Sequence, residues 1–273
     1  MTRIDSNYYR QGGYYYPQNQ DNEHSTGYYY KPRSQESAEI GWLLASVASG
    51  LVYKLLPSFS NPFLKQMGKE HANNHLYKDT FTKAVDNSGL IKKGLRAIHV
   101  QDASDIGKGF NACFVPATKE IRLNLDKASI SGFHELGHAM NNMKPGIGRF
   151  LQKLRRPGYF IAGLMGTVAL FSRSKPKEAD KNVLDFVQDN CGKIAFAAML
   201  PTVIEEAMAS YKGIQAAKKA GLSEQLIQNL KKFYGKALLS YGGYAVIAGV
   251  ATYAASKIME KFTRPKKVEF NRF

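Results

Sequence analysis

His134-Glu135-Leu136-Gly137-His138 constrains this chain more than any other segment. Two imidazoles four residues apart share a face only if the backbone is helical, with about one turn between them. So placed, they can hold one Zn²⁺. The glutamate after the first His points at the open coordination position, where a bound water waits to be deprotonated. This is the spacing of zinc hydrolases that act on peptide bonds. The competing reading is a surface helix that happens to carry two His, and the flanking sequence argues against it.

Zinc held by two His needs a third protein ligand. The pattern that draws it from the same stretch would place Gly at 141 and His at 144, where Asn141 and Lys144 stand. Cys113 and Cys191 lie far apart in unfavourable contexts. They form no Cys-x-x-Cys pair and imply no disulfide framework. The remaining candidates are Glu205 and Glu206, at the end of an apolar run over 194–204. Two adjacent carboxylates there cost too much to leave unpaired in a low dielectric, and a divalent cation relieves that cost.

The net charge of +16, from 38 Lys+Arg against 22 Asp+Glu, suits an anionic partner. The lysines sit near apolar segments, with no aromatic-laced basic stripe, which favours a phospholipid membrane over nucleic acid. Residues 1–39 lack the apolar core of a signal peptide. They are rich in Tyr, Gln, Asn and Gly, with an imperfect repeat of Gly13-Tyr14-Tyr15-Tyr16-Pro17 and Gly27-Tyr28-Tyr29-Tyr30-Lys31-Pro32. Without a periodic apolar face they are expected to be a disordered tether.

Four apolar stretches follow, at 40–56, 159–171, 194–204 and 237–256. The first and last approach the roughly 20 residues that a bilayer demands. The middle two are short. Arg155, Arg156, Arg173, Lys175, Lys177 and Lys193 flank them as headgroup anchors would, so they are expected to form an apolar hairpin. About four transmembrane helices result, in an integral, multi-pass protein of a plasma or inner membrane. Two crossings between His138 and Glu206 would return the third ligand to the side of the first two. The distribution of basic residues leans toward a cytoplasmic catalytic face, although the basic tail argues the other way.

Within the polar region a helix is expected over 61–85, where His71 and His75 have packing or surface roles. Strands are expected at 96–101, 110–115 and 120–125, the last two joined by Pro116-Ala117-Thr118-Lys119. Capping residues at 126–129 precede the motif helix, which ends near Met143. The fold class is thus mainly α with a small β-sheet. Its expected parts are the tail at 1–39, a span at 40–56, a catalytic domain at 57–156, the hairpin at 157–205, a third-ligand helix and following segment at 206–236, a span at 237–256 and a basic tail at 257–273.

Several of these segments resemble those of the integral-membrane gluzincins, the heat-shock membrane protease and CAAX prenyl protease type, with their relatives the neutral zinc metallopeptidases. Asn111-Ala112-Cys113-Phe114-Val115 is similar to the family's Asn-Ala-Phe-Ala segment, and Ile121-Arg122-Leu123 to the strand after it. His134 to Ala139 is similar to the active-site helix, and Glu206-Ala207-Met208-Ala209-Ser210 to the Glu-x-x-Ala-Asp/Ser stretch. The resemblance covers roughly 90–220. It implies a zincin-like catalytic domain fused to transmembrane helices, with His134, His138 and Glu206 as Zn²⁺ ligands, Glu205 as the rival ligand and Glu135 as the base. It also implies that Asn111, Ala112 and Cys113 dock substrate by strand addition. Ser210 stands where many members carry the Asp that orients a ligand His, which points to the neutral-zinc-peptidase branch or a weaker site.

The expected activity is a zinc metalloendopeptidase acting on peptide or protein substrates, with Tyr211 and His99 as candidate oxyanion donors. The alternative is a catalytically silent, zinc-bound membrane scaffold or adaptor.

Overall fold

A computed structural model describes residues 14–16, 26–31, 35–41, 43–44, 75–100, 112–125, 129–173 and 182–271. The chain is mainly helical. Strands β1 (Tyr14–Tyr16) and β2 (Thr26–Lys31) precede helix α1 (His75–Asn87), followed by a single 3-10 turn (Ile91–Lys93). Next come β3 (Arg96–His99), β4 (Ala112–Val115) and β5 (Glu120–Leu123). Helices α2 (Ser129–Met143), α3 (Ile147–Leu170), α4 (Val183–Lys219) and α5 (Glu224–Thr263) follow, and β6 (Lys266–Asn271) closes the chain. Contacts divide the chain into two compact units, one made of Met1–Val52, Gly163–Ala195 and Gly249–Phe273, the other of Tyr53–Ala162 and Phe196–Ala248.

The second unit carries the motif. Its sheet has the order β3-β5-β4, with β3 parallel and β4 antiparallel to β5. The expected turn at 116–119 joins β4 to β5, with Lys119 in a left-handed conformation (φ 56). β5 is central because Ile121 and Leu123 alternate inward and are fully buried. Glu120 at its start pairs with Arg96 and Arg122. Tyr77 and Phe81 of α1, Ile130, Phe133 and Leu136 of α2, and Ile227 and Leu230 of α5 complete a dry core against that sheet. Phe81 meets Phe133 edge-on at 5.5 Å. This core seats the motif helix by its apolar face and leaves its histidine face to be covered by α4.

In the first unit, β1 and β2 pair antiparallel, and β2 pairs with β6. The two Tyr-Tyr-Tyr repeats lie opposite each other, Tyr14 facing Tyr30 and Tyr16 facing Tyr28. Residues 14–16 and 26–31 thus form strands where a disordered tether was expected. Tyrosine-rich runs have high strand propensity, and the basic C-terminal segment supplies a third strand, a non-local pairing that composition does not reveal. In the same unit, Ser256 donates to Ser172 at 3.2 Å, and Gly192 lets α4 pass close to Gly249.

The expectation of about four membrane spans is corrected. Among the described residues, one helix is long and apolar enough to cross a membrane, Glu224–Thr263. The expected span at 40–56 lies mostly outside the described residues. The two middle stretches fail for a physical reason. In α3, Arg149, Lys153, Arg155 and Arg156 occupy the first half, so the apolar half from 159 to 170 rises only about 18 Å. In α4, the run from 194 to 204 rises about 16 Å between Lys193 and Glu205, well short of the roughly 30 Å hydrocarbon core. Each belongs to a longer continuous helix. The expected helix over 61–85 is described only from His75 onward, so His71 lies outside the described residues.

Candidate metal centre

The histidine face of α2 meets α4 at very short range. A Cβ on Gly137 would lie 1.9 Å from the Ala209 carbonyl oxygen, and one on Gly213 would lie 2.3 Å from that of Phe133. Glycine at both crossing points lets the two backbones touch. That approach delivers the acidic pair of α4 to the histidine pair of α2.

Three atoms converge there. His134 Nε2 lies 3.0 Å from Glu206 Oε2 and 3.0 Å from His138 Nε2, and His138 Nε2 lies 3.5 Å from Glu206 Oε2. One ligand atom from each of His134, His138 and Glu206 falls within 4.8 Å of the others. The outer face of each ring is also held. His138 Nδ1 contacts Glu205 Oε1 at 2.9 Å, and His134 Nδ1 contacts Ser210 Oγ at 3.1 Å. With a carboxylate accepting from Nδ1, His138 turns a lone pair inward through Nε2. An inward cluster of nitrogen lone pairs and a carboxylate oxygen is unstable without a proton or a cation at its centre. Two imidazoles and one carboxylate form a donor set that fits Zn²⁺.

The electrostatics agree. Burial alone would lower the His138 pKa, but hydrogen bonds to Glu205 and Glu206 and the Glu135 charge outweigh it and push it up to about 10. Burial raises the Glu205 and Glu206 pKa values, yet His138, Asn141 and Arg155 reverse this for Glu205 and His134 and His138 for Glu206, and both are held below the usual carboxylate range. The site is a buried negative basin that takes up positive charge.

Glu205, the rival ligand, therefore stands behind His138, while Glu206 stands among the ligand atoms. Ser210 also has a place: although shorter than Asp, it reaches the outer nitrogen of His134. Ser210→Ala is expected to weaken zinc binding about tenfold, and Ser210→Asp to strengthen it, in a competition titration against a chromophoric chelator.

Arg155 is the functional residue that reading the sequence misassigned. Expected as a headgroup anchor, it reaches from α3 to both acids, with Nη1 2.9 Å from Glu205 Oε2 and Nη2 2.8 Å from Glu206 Oε1. It occupies the outer oxygen of Glu206 and leaves Oε2 for the histidines. Asn141 was also missed. Its Nδ2 donates to Glu205 Oε1 at 2.9 Å, and its Oδ1 accepts from Lys212 Nζ at 2.6 Å. The available signal for Asn141 was its position three residues past His138, on the same helical face.

Glu135 is half-buried. Its Oε2 accepts the Phe114 backbone N–H at 2.7 Å, which ties the motif helix to β4. β4 is an edge strand. Of its expected docking residues, Ala112 is buried, Cys113 is half-buried and Asn111 lies outside the described residues. Both cysteines are free thiols. Of the candidate oxyanion donors, His99 accepts the Leu125 N–H through Nδ1, and Tyr211 is 64% exposed on α4, so neither is brought to the ligand atoms. Two tyrosines of α5 lie closer: Tyr241 interacts electrostatically with Glu206 and Arg155, and Tyr234 has its ring centroid 5.4 Å from that of His134. The Tyr234 hydroxyl donates to the Ile130 carbonyl.

Comparison of the chain with protein-family models, with curated proteins and with solved structures finds no match, so the arrangement of these residues is the ground on which its chemistry is read.

Proposed function

We propose that this chain is a membrane-associated zinc-dependent endopeptidase, of the kind its motif segments resemble. The observation that carries the reading is the convergence of His134 Nε2, His138 Nε2 and Glu206 Oε2, with Glu135 next to His134 on the same helix. Bound zinc would supply a water acidified to a pKa of about 7 and a Lewis acid for the scissile carbonyl. Glu135 takes the proton of the attacking water and returns it to the leaving amine. Glu205 and Ser210 fix the ring orientations of the two histidines, and Arg155 holds Glu206 by its outer oxygen. Among the described residues no strand pairs with the outer edge of β4, which would offer its remaining backbone groups to an extended peptide beside Phe114, whose N–H Glu135 already takes.

The membrane part of the reading rests on α5. Only 28% of its apolar window is buried, whereas the core helix of a soluble protein would be mostly covered.

The engagement of Glu135 by the Phe114 N–H favours a second reading, in which the centre is structural and the chain a silent scaffold. One experiment separates them. The purified full chain is expected to carry one zinc per molecule and to cut an unstructured protein such as casein, with cutting suppressed by a chelator and restored by zinc. Zinc retained without cleavage of any peptide overturns the peptidase reading, and absence of zinc overturns both.

A further inference from the structure

A cavity of about 280 Å³ lies between α1, α2 and α4 in the second unit. None of the candidate metal ligands lines it. Lys144, just past the end of α2, and Lys212 and Lys219 of α4 are among its lining residues, so three lysines share its wall. Asn87, Ser88 and Gln215 add neutral polar groups, and among the described residues no carboxylate lines it. The charges there are uncompensated within the wall. Burial first, and the nearby Lys144 charge second, hold the Lys212 pKa below the usual lysine range. Lys212 is nevertheless fixed in place, because its Nζ donates to Asn141 Oδ1 at 2.6 Å. A concave wall of one sign, with Lys212 half-buried and Lys144 and Lys219 exposed, concentrates the opposite charge. The volume is that of roughly nine waters at about 30 Å³ each, enough for a tetrahedral anion and the ester attached to it.

We propose that this cavity binds a phosphate group, carried by a soluble phosphoester or by a lipid headgroup, with Lys144, Lys212 and Lys219 as its three donors. Lysine suits this role as a compact point charge with rotatable donors. The site shares no lining residue with the metal centre, to which Lys212 is linked through Asn141 and Glu205, and because phosphate binding is measured without zinc its outcome is read apart from that of the peptidase reading.

The test uses the purified full chain, with inorganic phosphate followed by ³¹P line broadening, and with vesicles of phosphatidylcholine with or without phosphatidic acid. Lys144→Gln with Lys219→Gln removes two of the donors at exposed positions and leaves the Lys212–Asn141 bond in place. Lys218→Gln with Lys231→Gln removes the same charge from two lysines that face Glu224 outside the cavity. The first pair is expected to weaken binding about a hundredfold, at roughly a factor of ten per lost charge-assisted bond, while the second leaves it nearly unchanged. Binding of free phosphate assigns a soluble ligand, and binding only to phosphatidic-acid vesicles assigns a headgroup. The proposal is overturned if the wild-type chain binds neither probe, or if both pairs of substitutions reduce binding equally.

Discussion

Glu135→Gln is expected to lower peptide hydrolysis about a thousandfold while zinc remains bound at full stoichiometry. A positioned general base contributes on the order of 10²–10⁴ in rate, and the amide has no basicity to replace it. The substitution is informative because it is close to isosteric. The Gln carbonyl oxygen can still accept the Phe114 N–H that Glu135 Oε2 accepts at 2.7 Å, so α2 keeps its tie to β4. His134, His138 and Glu206 are untouched, so zinc content serves as the internal control. Hydrolysis at the wild-type rate would remove Glu135 from the chemistry and the peptidase reading with it. Glu135→Ala should differ in one respect: it also frees the Phe114 N–H and so loosens the edge strand.

Gly137→Ala should damage both the fold and the metal centre. The added Cβ would sit 1.9 Å from the Ala209 carbonyl oxygen, far inside van der Waals contact and against backbone that cannot rotate away. α2 and α4 must then separate by an ångström or more. Overpacking of a rigid contact costs roughly 1–3 kcal/mol, and this one belongs at or above the upper end. The separation also draws the two imidazoles from Glu206, and a misplacement of about 1 Å is enough for roughly a hundredfold loss of function. Gly163→Ala is the control: it lies on α3, where an added methyl would meet nothing within 4 Å, and an exposed helical Gly→Ala change is neutral or stabilising by up to about 1 kcal/mol. Thermal melting and zinc content of the two variants decide the matter. A Gly137→Ala chain as stable and as zinc-loaded as the wild type would mean that the helices do not cross this closely.

Much of this architecture was legible in the residues, where the signal is local. The motif helix follows from the four-residue spacing of His134 and His138, and it ends at Met143 as expected. The β4–β5 hairpin follows from two apolar runs around a Pro-initiated turn, with strands shorter than the expected 110–115 and 120–125. Apolar length was a poorer guide. The runs at 159–171 and 194–204 read as spans because hydropathy does not say how much of an apolar run packs on protein: Ala162, Met165 and Ala169 are buried, whereas Tyr159, Phe160, Leu164 and Phe171 stay exposed. In the structure they are portions of long helices whose polar portions build the site. Arg155 illustrates the same ambiguity. At the end of an apolar run a cation can face headgroups or buried carboxylates, and only the position of α4 selects the carboxylates. The Tyr repeats pair with each other, and the third strand that pairs with the second repeat, β6, lies at the other end of the chain, where composition gives no signal of it.

The amino-acid sequence alone determines the pair of imidazoles on one helical face and the acid beside the first, because helical periodicity is a property of neighbouring residues. It also narrows the candidate third ligand to two adjacent glutamates. The tertiary structure decides between them: it turns Glu206 toward Nε2 of both histidines and Glu205 toward the outer nitrogen of one, with Arg155 bridging the pair. That decision depends on how α4 is rotated and how closely it approaches α2, across 72 positions of chain between His134 and Glu206. The close approach exists because Gly137 and Gly213 carry no side chain at the crossing, a reason that becomes visible only once the helices are packed.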